Sequence, residues 1–80
     1  MNTKYQVFQD GKPCASYKIA DWNVDTFDTF YEAQVFAAHW AYPVDKETAK
    51  QFVRPMELNV PINMSMCECP LMMEIRKVQA

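Results

Sequence analysis

Apolar residues recur at three- and four-residue spacing along one stretch of this 80-residue chain, from Asp25 to Tyr42. This period predicts an amphipathic helix with one apolar face. Thr29 followed three residues later by Glu32 is the pattern of a capping box, so we expect Thr29 at the N-cap. Pro43 disfavours helical geometry in the residue before it and is expected to end the helix.

Before this helix, two runs of alternating apolar and polar residues flank the dipeptide Asp10-Gly11, at Lys4–Gln9 and Pro13–Ile19. Asp-Gly between such runs predicts a β-hairpin. Because Pro13 has no N–H to donate, the second strand is expected to lie at an edge of the sheet.

The sequence leaves two registers open for this hairpin. A three-residue connection places Val7 opposite Ala15, and the same register places Tyr5 opposite Tyr17. A two-residue turn instead places Val7 opposite Cys14. We favour the three-residue connection because it gathers apolar side chains on one face, and a slip of one residue turns every side chain to the other face.

The connections on either side of the helix are less regular. Residues 20–24 are interpreted as a connector in which Trp22 covers one end of the core. Residues 44–49 either form a short second helix with Asp45 as its N-cap or remain a loop, and Pro55 stops any helix soon afterwards. We favour the short helix.

A period of two residues governs the next part of the chain. Apolar residues occupy the even positions from Phe52 to Met64 with the exception of Arg54, and mostly polar residues or prolines occupy the odd positions, which predicts a strand with one face on the core. Pro55 and Pro61 each remove a donor, so this strand is expected at an edge or with a bulge. The alternation over residues 71–76 predicts a final strand.

These elements follow one another in the order ββαββ. We therefore predict an α+β fold in a single domain over residues 1–80, with a four-stranded antiparallel sheet and the long helix packed on one face.

Composition and charge narrow the classes of function. Eight Lys and Arg against ten Asp and Glu give a net charge of −2 without clusters of either sign, which argues against direct binding of nucleic acid. With no apolar run of about 18 residues and no secretory signal, we expect no membrane association. Three cysteines, an odd number, favour a reducing compartment, so we expect a cytoplasmic protein.

A metal site is the sharpest chemical alternative. Cys67 and Cys69 lie in a methionine-rich segment, and soft ligands of this kind select copper or zinc. Cys14 and His39 would complete a Cys₃His set. Against this hypothesis, Cys-x-Cys is not the usual zinc spacing, and methionine is more often a gap-filler in a small core. A soft-metal protein therefore stays the alternative function, and we expect no cofactor.

Catalysis has little support in the sequence. His39 is the one histidine, and no serine or cysteine motif points to a nucleophile for it to activate. The chain contains one glycine, which excludes a glycine-rich phosphate-binding loop. We therefore expect a protein that is not an enzyme.

Aromatic residues are more numerous than a single helix-on-sheet core of this size requires. Aromatic side chains are enriched in the centres of protein interfaces, although they also fill cores that contain few leucines. The candidate partner-binding residues are Tyr5, Tyr17, Trp22, Tyr31, Trp40 and Tyr42.

The layout of YQVFQDGK, then DTFYEAQVFAAHWA, then two strands resembles that of small orphan proteins encoded by phages and mobile elements, of the anti-CRISPR and host-defence-inhibitor type. The resemblance implies a stoichiometric inhibitor or modulator of a host protein complex, acting in the cytoplasm of the host cell. A structural subunit that self-assembles through an edge strand, as a homodimer for example, is a further alternative.

Overall fold

A computed structural model describes residues 3–15, 22, 24–42, 44–65 and 68–79 of the chain. It is an α+β fold in which the long helix packs on an open antiparallel sheet, as predicted. The sheet contains five strands rather than the predicted four, because a short strand precedes the helix. The elements in chain order are β1 (Thr3–Gln9), β2 (Lys12–Pro13), β3 (Thr26–Phe27), α1 (Phe30–Ala41), α2 (Lys46–Ala49), β4 (Ile62–Asn63) and β5 (Met72–Gln79).

The N-terminus of α1 has the predicted cap. Thr29 lies in extended geometry before the helix, and the Glu32 N–H donates to its Oγ1 at 3.1 Å. The Thr29 hydroxyl in turn reaches the Glu32 carboxylate, Oγ1 to Oε1, at 3.3 Å. The helix ends at Ala41, one residue before Tyr42, whose N–H donates to the carbonyl of Ala38 at 2.9 Å.

The sheet is organised around the antiparallel pair of β1 and β5. The two strands pair over seven residues, with Val7 opposite Ile75 near the middle. The strand order is β2-β1-β5-β4, and β3 pairs with β1 on the same side as β2. β2 therefore lies at an edge, as Pro13 predicts. β5 begins one residue later than predicted and continues to Gln79.

The favoured register of the hairpin is wrong. Gln9 pairs with Lys12, and the Cys14 N–H donates to the carbonyl of Val7 at 2.9 Å, so the connection is the two-residue turn. Asp10 and Gly11 both have positive φ angles, 51° and 82°, as a two-residue type I′ turn requires. The local demand of the turn therefore overrides the apolar pairing that favoured the longer connection.

The expected partner of Tyr5 also differs. Tyr5 pairs with Phe27 of β3 on one side and with Lys77 of β5 on the other. β3 pairs with the part of β1 that β2 does not reach. Tyr17, the predicted partner, lies outside the described residues.

The second helix is confirmed, whereas the long strand after it is wrong. Asp45 caps α2 and accepts from the Thr48 N–H at 3.1 Å; a 3-10 turn, Lys50–Phe52, follows. Residues 53–64 then contain a single parallel bridge from Leu58 to Ile75 and the two residues of β4. Asn59, with a φ of 64°, turns the chain between them, so the segment follows the sheet edge without forming a continuous strand.

The core lies between α1 and the inner face of the sheet. Three alanines of the helix are fully buried, and small residues of this kind let the helix approach the sheet closely. The largest fully buried side chains are Phe27, Phe36, Met64, Met73, Ile75 and Val7. Met64, Met73 and Ile75 are therefore on the buried face that the alternation predicts. The prediction is wrong for Phe52 and Val60, which are 41% and 42% exposed because the segment does not form a continuous strand.

Candidate partner-binding site

Trp22 is held in place on one side of α1. Its Nε1–H donates to Nδ1 of His39 at 2.8 Å. The rings of Phe27 and Phe36 meet the indole edge to face, with centroids 5.3 and 5.2 Å away. Trp22 is therefore half-buried against the core. Aromatic pairs of this geometry add stability beyond the area that they bury.

The hydrogen bond from Trp22 engages one nitrogen of the His39 ring. The side chain is 8% exposed and lies near the C-terminal end of α1.

A cleft of about 220 Å³ opens between α1 and α2 beside Trp22. We call it the helical cleft. Its lining residues are Trp22, Tyr31, Glu32, Val35, Lys46 and Lys50.

The two helices present these residues through one-turn spacings. Tyr31 and Val35 are four residues apart on α1, and Lys46 and Lys50 are four apart at α2 and the turn that follows it, so each pair shares one face. Tyr31 is 54% exposed, which makes it the most exposed large apolar side chain in the part of the chain that the structure describes.

The charges of the helical cleft come mainly from α2. The ammonium group of Lys46 lies 4.0 Å from the ring centroid of Trp22, a cation–π contact. Lys50 Nζ lies 3.1 Å from Glu47, whose side chain is largely exposed. Glu32 contributes the one lining carboxylate, which is engaged by the Thr29 hydroxyl.

Asp45 fixes the first turn of α2, which carries these lysines. Hydrogen bonds from the side chain and backbone of Thr48 lower the pKa of the Asp45 carboxyl below its usual value, because they favour the charged form.

A second cleft, of about 350 Å³, lies beside the turn of the hairpin. Trp40 forms one wall, and its Nε1–H donates to Oε1 of Gln9 at 2.8 Å. The remaining lining residues are Asp10, Lys12, Pro13, Cys14 and Ala15.

The structure does not gather the six predicted partner-binding residues into one surface. Trp22 and Tyr31 share the helical cleft, whereas Trp40 lines the cleft beside the hairpin. Tyr5 and Tyr42 are half-buried against the core. The ring of Tyr5 meets that of Phe30 edge to face, with centroids 5.8 Å apart, and the ring centroids of Tyr42 and Phe52 are 5.3 Å apart. Tyr17 is outside the described residues.

The four residues of the alternative metal site have different surroundings. Cys14 is 2% exposed beside the hairpin, and His39 already accepts from Trp22 through Nδ1. Cys69 is exposed, and Cys67 lies outside the described residues. Over residues 3–15, 22, 24–42, 44–65 and 68–79, no three His, Cys, Asp or Glu side chains form a group that could hold a metal ion.

The face of the sheet away from α1 carries one further arrangement. The guanidinium of Arg76 lies 4.3 Å from the ring centroid of Phe8 and 2.9 Å from the Glu74 carboxylate, which faces Phe8 across the strands. The hydrogen bond to Glu74 raises the pKa of Arg76 above its usual value. These groups satisfy one another.

Sequence reasoning missed Val35, Lys46 and Lys50 as residues of a site. The four-residue spacing of the two lysines and of Tyr31 with Val35 was the available signal. The contact that brings α2 beside Trp22 is long-range, however, and no local pattern encodes it.

Comparisons with known protein families, with curated proteins and with solved structures give no match for this chain. Among the described residues, no helix has the length and apolar character needed to cross a bilayer.

Proposed function

We propose that this chain is a small non-catalytic protein-binding module that inhibits or modulates a host protein complex, in the manner of a phage-encoded anti-defence protein such as an anti-CRISPR. The observation that carries the proposal is the helical cleft, where exposed Tyr31 stands beside the fixed indole of Trp22. We propose that the module acts in the cytoplasm of the host cell.

The helical cleft has the features of an interface centre. Tyrosine and tryptophan dominate binding hot spots because they bury a large area with few rotatable bonds. Trp22 is already immobilised by His39 and the neighbouring rings, so a partner need not order it.

Two reactive side chains are engaged or buried, which supports binding rather than catalysis. The imidazole of His39 is 8% exposed and its Nδ1 is taken by Trp22. The thiol of Cys14 is buried within the fold. A general base must reach the proton that it removes, and neither group is at the surface.

The proposed type of target is based on the order of the elements, which resembles that of small phage and mobile-element proteins. Such proteins act stoichiometrically on a host complex, and a surface groove of this chain is sufficient for that role. No cofactor is part of the proposal.

Affinity capture from bacterial lysate tests this function. The bait is the tagged chain, in parallel with Tyr31→Ala and with Val60→Ala, a control that removes an exposed apolar side chain from the loop after Asn59. We expect wild type and Val60→Ala to retain the same protein, and Tyr31→Ala to lose it by at least about tenfold, the effect of one hot-spot residue.

Two results contradict the proposal. One is that the purified chain retains no protein and turns over a small molecule by itself. The other is that the retained protein binds Tyr31→Ala as well as it binds wild type.

A further inference from the structure

We draw no further inference here: the strongest candidate, the helical cleft between α1 and α2, belongs to the surface already proposed for partner binding, and nothing in the described part of the structure shows what covers it, because Glu32 and Glu47 offset the charges of Lys46 and Lys50.

Discussion

Replacing Trp22 by phenylalanine tests the contact that holds the wall of the helical cleft. The substitution keeps an aromatic ring against Phe27 and Phe36 but removes the donor to His39 Nδ1. A buried acceptor that loses its partner costs about 1–3 kcal/mol. The smaller ring loses a further contribution of about 1 kcal/mol from apolar contact. We therefore expect a loss of about 2–4 kcal/mol in the free energy of unfolding.

This loss is large for a chain of this length. Native domains have about 0.05–0.15 kcal/mol of stability per residue, which gives about 4–12 kcal/mol for 80 residues. Urea unfolding followed by far-ultraviolet circular dichroism measures the change. The control is Trp40→Phe, which removes the donor to Gln9. Because Gln9 is only half-buried and can be rehydrated, we expect the smaller loss there.

A double-mutant cycle with His39→Leu isolates the Trp22–His39 interaction. We expect the two substitutions to be non-additive by about 1 kcal/mol, since they remove the two partners of one hydrogen bond. The reasoning is refuted if Trp22→Phe is no more destabilising than Trp40→Phe and the cycle is additive to within about 0.3 kcal/mol.

Three other predictions concern the caps and the turn. Thr29→Ala removes the side chain that caps α1 and should lower the free energy of unfolding by about 1 kcal/mol, measured by urea unfolding; an unchanged midpoint would contradict the cap. Gly11→Ala places a Cβ in open space at a φ of 82°, so backbone strain alone should lower the free energy of unfolding by about 1 kcal/mol. Gly11→Asn should lower it by less in the same urea unfolding assay, and equal losses for the two variants would contradict this. Because Asp45 has a lowered pKa in the folded protein, its contribution to stability is complete above its unfolded pKa of 3.8 and is lost as the pH falls below that value through the folded pKa. Asp45→Asn should therefore reduce the fall in melting temperature at acidic pH in a thermal-unfolding series. An unaltered fall would count against the cap.

The parts of the fold that the sequence predicts well depend on signals within a few residues. The cap of α1 needs only Thr29 and Glu32, and the cap of α2 needs only Asp45 and Thr48. The alternation around Met73 likewise identifies the buried face of β5. In each case the physical cause lies within one turn or one strand.

The errors lie where the backbone conformation of a few residues overrides the apolar pattern. The apolar pairing of the hairpin strands favours a three-residue connection, but Asp10 and Gly11 both adopt positive φ angles and form a two-residue turn. The long strand over residues 52–64 was inferred from alternation alone. The left-handed backbone of Asn59 interrupts it, and such geometry in a residue other than glycine is hard to foresee.

The candidate site was predicted only in part. Trp22 and Tyr31 were recognised because aromatic residues are frequent at interfaces, and they share the helical cleft. Lys46 and Lys50 were not recognised, since their place beside Trp22 depends on how α2 packs against α1.

Photo-crosslinking from within the helical cleft tests the central claim most directly. A photoreactive phenylalanine derivative replaces Tyr31 in one protein and Val60, exposed to a similar degree, in another. The account predicts that position 31 forms a covalent adduct with a second protein in bacterial lysate and that position 60 does not. An adduct from position 60 with none from position 31 would contradict it.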